Sequence, residues 1–340
     1  MSGVLIALGT IVFCFVPVIG LLEILRCAYL EWRSDRIPIL LYHRLISRDR
    51  ARRGEVRDEE PIYAIHDDTF ESQMRFLRDN GHTTLSLDEL LAIREGARSL
   101  PPKSLAITFD DGYESNYTLA LPALKRHGHR ATIFTVLEPD DYTRRQVEGI
   151  DRFLNHDQMR ELDRSGVAIE SHTVTHCVLS ELDEQTARHE LAESKRRLSE
   201  ILGRPVRHLA IPRSGQNRRV LRMAREAGYV TVCGNSKGSS NGWSSLFSLP
   251  RIVIERDMSL PDFRRALTPG ASLVLRLVGN VKRLPALLLG PSAAVKLRRA
   301  LYFGPFGTLF ITRRLKWLAM SAGVLYLLGS AVFIWYLVTR

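Results

Sequence analysis

The chain has 340 residues, 45% hydrophobic and 25% charged, with a formal net charge of +11. That length holds one large domain of roughly 200–250 residues plus extra segments, and the composition is that of an ordinary globular protein. Four cysteines (Cys14, Cys27, Cys177 and Cys233) without a CxxC spacing exclude a disulfide framework and a structural zinc ribbon.

In chain order, Val4 to Leu22 is an uncharged apolar run interrupted only by Pro17. It meets the ~20-residue length that crosses a bilayer. No Lys or Arg precedes it and no small-residue cleavage site follows, which favours an uncleaved anchor over a signal peptide. From Arg36 to Glu255 short β-rich runs alternate with amphipathic helical patterns. Strand candidates are 37–45, 104–109, 131–137, 167–171, 208–212, 229–233 and 248–255. Helix candidates at 69–80, 119–127, 157–165, 182–202 and 218–227 run into Gly81, Gly128, Gly166, Gly203 and Gly228. Glycine just past a helix is the usual left-handed C-terminal cap. Helix, glycine, strand, repeated, is the rhythm of a parallel sheet covered by helices. The fold class expected is α/β, a distorted (β/α) barrel of about seven strands, ahead of an open doubly wound sheet. No Gly-x-Gly-x-x-Gly turn follows the first strand, against a dinucleotide site.

The last stretch changes character. Between Arg256 and Lys316 there are 12 Lys plus Arg against Asp257 and Asp262, interleaved with Leu, Val and Phe. Such a pattern suits a surface lying on anionic membrane lipids. The basic excess lies outside the folded domain and no recognition motif accompanies it, so nucleic acid is not an expected partner. Trp317 to Val338 is a second uncharged run, 22 residues long. The expected organisation is an anchor at 1–30, a globular domain at 36–255, a basic apolar membrane-proximal segment at 256–315 and a transmembrane helix at 316–340. That describes an integral protein of the cell membrane. Arg26, Arg33 and Arg36 after the first run, with Arg313, Arg314 and Lys316 before the second, place the central domain in the cytoplasm by the positive-inside rule.

Parallel barrels carry reacting groups at the C-terminal ends of their strands. Those ends offer His43, then Asp110-Asp111-Gly112, then His172 and His176, then the turn Ile211-Pro212-Arg213-Ser214-Gly215. Singly, each has a structural explanation. Paired aspartates before glycine are a turn and helix-cap device, an HxxxH pair arises by chance, and a lone histidine sits satisfied in many cores. Together they offer more. Two imidazoles and one carboxylate make a three-ligand site with a position left open for water, as catalytic zinc sites require. A second carboxylate beside the cation can accept the water's proton. A histidine is the natural proton donor to a departing amine at neutral pH.

The same residues carry a resemblance. Thr108-Phe109-Asp110-Asp111-Gly112-Tyr113 and Ser171-His172-Thr173-Val174-Thr175-His176 resemble the first two motifs of the polysaccharide deacetylase (NodB-homology, carbohydrate esterase family 4) proteins, at the family's spacing. The similarity covers roughly residues 36–255. The early Leu41-Tyr42-His43 and the late Leu249-Pro250-Arg251-Ile252 make it most similar to the branch that deacetylates poly-N-acetylglucosamine. The resemblance implies Asp110 as general base and His43 as general acid. It implies Asp111, His172 and His176 as ligands of a divalent metal, with zinc suited to the ligand set. It also implies Leu41 in the acetyl pocket, Arg251 orienting Asp110, and Trp243 walling the sugar groove.

The third motif departs from the family, since Pro212-Arg213-Ser214 lacks the usual aromatic residue. A backbone N–H at this turn still serves an oxyanion, and Arg213 would favour a substrate carrying phosphate or carboxylate. The expected reaction is removal of N-acetyl groups from an amino-sugar polysaccharide. The alternatives are a deacetylase or deformylase of a lipid-linked saccharide, and a non-catalytic membrane scaffold with a deacetylase fold. The family at large acts outside the cell, against the charge pattern.

Overall fold

The computed structural model describes residues 16–55, 63–145, 147–148 and 150–281. Its strands, in chain order, are β1 (Ile39–Tyr42), β2 (Leu45–Ile46), β3 (Ile65–His66), β4 (Thr83–Thr84), β5 (Ser104–Phe109), β6 (Ala131–Thr135), β7 (Val167–Ser171), β8 (His208–Ala210), β9 (Thr231–Lys237) and β10 (Leu249–Val253). β1 pairs with β5, each strand from β5 to β10 pairs with the next, and β10 returns to β1, all in parallel. The seven strands anticipated from the sequence thus close a barrel. β4 adds to β5, and β2 with β3 forms a separate pair.

The strands close because alternate residues satisfy two different cores. Ile39, Ala106, Phe134, Ala210, Cys233 and Leu249 form one buried cluster, which lies inside the barrel. Their neighbours Leu40, Ile107, Ile133, Ile169, Leu209, Val232 and Ile252 join Phe70, Leu124, Leu162, Leu191 and Met223 of the surrounding helices. With both faces buried, parallel strands read as nearly continuous apolar runs. The five expected helices form, as Asp67–Asp79, Leu121–His127, His156–Arg164, Glu184–Leu202 and Arg218–Glu226. The glycines after them all take left-handed φ values, from +67° to +85°.

The compact unit runs from Leu30 to Leu275. It continues past residue 255, because the helix Leu260–Ala266 sets the fully buried Phe263 edge-on against Phe76, at a ring separation of 6.1 Å. The expectation of an integral membrane protein is corrected here. Among the described residues no helix is long and apolar enough to cross a membrane. The helix that forms over part of the first apolar run, Val16–Glu31, has 16 residues and contains Glu23 and Arg26. Residues 1–15 of the expected anchor, and the second expected span at 316–340, lie outside the described residues.

One glycine is fixed by space as well as conformation. Gly112 has φ +77°, and a Cβ there would lie 2.2 Å from Thr135 Oγ1 and 3.0 Å from Thr135 Cα. Thr135 is fully buried on β6 and has nowhere to retreat. Gly112→Ala is expected to cost about 1–3 kcal/mol, read from the shift of the urea midpoint. A variant as stable as the parent would contradict this packing.

Candidate active site

Strand register brings the polar residues together. Tyr42 and Phe109 are partners at the ends of β1 and β5, so His43 and Asp110 leave the barrel side by side. The Asp110 N–H donates to Tyr42 O at 3.0 Å. β7 ends at Ser171 beside Thr135, and the His172 N–H donates to Thr135 O at 2.9 Å. His176 follows on the loop, and Pro212 and Arg213 form a single 3-10 turn after β8. His43, Asp110, Asp111, His172, His176, Pro212 and Arg213 thus gather at the end of the barrel where the strands finish.

Backbone strain gathers there too. Of the five non-glycine residues with positive φ among the described residues, four are Asp111, Thr173, His176 and Arg213. Such conformations cost of order 1–3 kcal/mol each and persist where the surroundings over-determine them. At the His172–His176 loop the anchor is the buried Glu190. Its Oε2 accepts the N–H groups of Val174 and Thr175 at 2.9 and 3.0 Å, and its Oε1 accepts the Thr175 hydroxyl at 2.8 Å.

The two adjacent aspartates have different partners. Arg251 donates to both oxygens of Asp110, each at 2.7 Å, with both side chains buried. Burial alone would raise the Asp110 carboxyl, but the charges of Arg251 and His172 and the Arg251 hydrogen bonds together outweigh it and hold the group below the usual carboxylate range. Asp111 Oδ1 instead faces His172 Nε2 at 3.4 Å and His176 Nε2 at 3.2 Å. Burial opposes its ionisation as well, yet the two imidazoles hold it well below that range.

The donor set fits a cation. His172 Nδ1 lies 2.8 Å from Ala210 O, which can only accept, so Nδ1 carries the proton. In the neutral ring Nε2 is then a bare lone pair pointing at a carboxylate oxygen. Two acceptors at that separation repel unless a proton or a metal lies between them. Without a metal, burial would lower the His172 pKa, but the charge of Asp110 and the contacts with Asp111 and Ala210 O together outweigh it and raise it, which is the protonic answer to the same need. Asp111, His172 and His176 each offer one ligand atom, all within 4.8 Å of one another. They are a candidate metal site of the facially open kind.

His43 differs from the other two histidines. Burial lowers its pKa more than the charges of Asp111 and Asp110 raise it. Its ring stacks on the exposed Tyr63, with centroids 4.8 Å apart, and its Nδ1 has no hydrogen-bond partner among the described residues. Leu41 is buried two residues earlier, on the same strand face as Ile39.

Trp243 is a correction. Ser240 bridges Ile37 just ahead of β1, and Arg94 donates to Gly242 O and Ser244 O. The loop therefore lies at the end where the strands begin, opposite the aspartates, and Trp243 is 71% exposed there near Arg33. It walls no groove at this site. Sequence reasoning passed over Glu190, Tyr63, Asp140 and Thr143. An acid in the buried stripe of Ala187, Leu191, Ser194 and Leu198 was the available signal for Glu190.

The polysaccharide deacetylase family model matches residues 97–232. The Bacillus subtilis (strain 168) protein YxkH, whose name carries the words polysaccharide deacetylase, is 30% identical over 227 residues, covering 67% of this chain and 74% of that protein. The poly-beta-1,6-N-acetyl-D-glucosamine N-deacetylase of Escherichia coli (strain K12) is 26% identical over 244 residues, covering 62% of this chain. The chain spans only 36% of that longer relative. Among solved structures, Streptococcus pyogenes deacetylase PplD in complex with acetate superposes with a TM-score of 0.59 at 24% identity, covering 69% of this chain and 99% of that one. At that identity the likeness is one of fold.

The ion pair has a pH signature. Because Asp110 sits below its ordinary value of 3.8 in the folded protein, its contribution to stability is present above that value. It is lost as the pH falls through the depressed folded pKa. Arg251→Ala leaves a buried carboxylate uncompensated and is expected to cost about 3–5 kcal/mol at neutral pH. The deficit should shrink as the pH falls and be smallest below the depressed folded pKa, where Asp110 is protonated with or without Arg251. Urea unfolding across that range checks it, and a deficit independent of pH would count against the pair.

Proposed function

Because the chain belongs to the polysaccharide deacetylase family, we propose that it is a metal-dependent N-deacetylase acting on an amino-sugar polysaccharide of the poly-N-acetylglucosamine kind. The observation that carries this reading is the division of labour in Asp110-Asp111. One carboxylate has both oxygens on Arg251 and stands 3.9 Å from His172 Nε2, while the other converges with two imidazoles.

A divalent cation held by Asp111, His172 and His176, with zinc suited to such a donor set, would supply Lewis-acid polarisation of the amide carbonyl and acidify water. The chain's own residues do the rest. Asp110 is ionised, oriented by Arg251 and placed to take a proton from the attacking water. His43 stands beside it, on the neighbouring strand end, to deliver a proton to the departing amine. The C–N bond breaks with one water consumed, giving acetate and a free amino sugar. Leu41 forms part of the apolar floor for the acetyl methyl, and the backbone of the Pro212-Arg213-Ser214 turn faces the oxyanion. The branch assignment rests on the names of relatives such as the Escherichia coli protein. The lipid-linked saccharide alternative has no such support.

Acetate release from a poly-β-1,6-N-acetylglucosamine oligomer, measured beside metal content, tests the reading. Asp110→Asn is expected to lose about 10²- to 10⁴-fold in turnover while keeping its metal. His172→Ala should lose both, and chelation should abolish activity that a divalent cation restores. Turnover that survives Asp110→Asn, or thorough metal removal, would sink it.

A further inference from the structure

The turn that departs from its family's pattern is tied to neighbouring side chains of the same chain. The Arg213 guanidinium lies over the Tyr142 ring at 4.8 Å, and its Nη2 donates to Thr143 Oγ1 at 2.7 Å and to Asp140 at 3.1 and 3.2 Å. Thr143 is 1% exposed, on the short helix Asp141–Arg145 that follows β6. Its hydroxyl lies 2.5 Å from Asp140 Oδ1 and 3.1 Å from His176 Nδ1.

Counting protons at that hydroxyl fixes the state of the histidine. Arg213 can only donate, and the Asp140 carboxylate can only accept. The single hydroxyl proton therefore goes to Asp140, and one lone pair of Oγ1 receives the Arg213 N–H. What remains for His176 is the second lone pair, so the contact is a hydrogen bond only when Nδ1 carries the proton. Nε2 is then directed at Asp111 Oδ1, with a proton or a metal required between the two. His172 reaches the same tautomer through a backbone carbonyl, whereas His176 reaches it through three side chains.

We infer that Arg213, Asp140 and Thr143 form a positioning set for the candidate metal site, locking His176 in the Nδ1–H tautomer so that Nε2 serves as the ligand. The inference rests on the metal-site reading of the previous subsection. It assigns the atypical arginine to the protein's own electrostatics, since its charge is already offset by Asp140. The left-handed backbone at Arg213 (φ +48°) brings the side chain back over the His172–His176 loop, and the same region is tied down by the Asp140 N–H donating to Thr175 O at 3.2 Å.

Two readouts test it on the full chain. Long-range ¹H–¹⁵N correlation spectra of the metal-free protein report directly whether His176 Nδ1 carries a proton. Competition with a chromophoric chelator reports zinc affinity. Thr143→Val should turn a single Nδ1–H form into a mixture and weaken zinc about 10- to 100-fold, the usual effect of removing a ligand's outer partner. Thr143→Ser, which keeps the hydroxyl, should restore both, and Arg213→Ala should move both in the direction of Thr143→Val. A His176 Nδ1 without a proton in the parent protein, or an unchanged Nδ1 and unchanged affinity in Thr143→Val and Arg213→Ala, would overturn the inference. Zinc affinity that is unchanged in His172→Ala would instead overturn the metal-site reading itself.

Discussion

The bidentate ion pair between Arg251 and Asp110 decides what the two adjacent carboxylates can do. Unpaired, both would be drawn to the same cation, or one would take a proton to escape its neighbour's charge. Arg251 removes that choice by occupying both oxygens of Asp110 from inside the barrel. Asp111, turned outward by its left-handed backbone, is left to the imidazoles. A buried ion pair is a poor source of stability, and here its value is directional, since it fixes an anionic acceptor next to a site that would otherwise absorb it.

The barrel exists to hold those directions. Arg251 sits on β10 and Asp110 just past β5, so their contact spans β1 and depends on closure through the β1–β5 and β1–β10 ladders. Inside the barrel the Arg251 guanidinium lies over the Phe134 ring, 5.8 Å from its centroid. Gly112 lets the strand end turn tightly against Thr135, and Glu190 takes up the unpaired N–H groups of the histidine loop. Each device keeps a strained loop in one conformation, which a site with tolerances of a fraction of an ångström requires.

Much of this was legible in the sequence, and the exceptions share a cause. Seven apolar runs separated by glycine-capped helices define a parallel barrel, because burial on both faces leaves a pattern that few other folds share. Asp110, Asp111, His172 and His176 stand out because they sit at strand ends. What could not be read is where loops turn in space. Trp243 lies close in sequence to β10, yet its loop folds under the start of β1. Thr143 belongs to a five-residue helix without periodicity and Asp140 stands just before it, and the partners His176 and Arg213 are 33 and 70 residues away from Thr143. Hydropathy marked the first apolar run as a span. The helix over its described part continues through Glu23 and Arg26, which a window of apolar residues ending before them does not weigh.

The division between the two aspartates is tested most directly by anomalous diffraction from crystals grown with zinc. The account predicts one strong peak at about 2.0–2.2 Å from Asp111, His172 Nε2 and His176 Nε2, with both oxygens of Asp110 still on Arg251. A cation coordinated by Asp110 with Arg251 released, or seated away from these three residues, would contradict it.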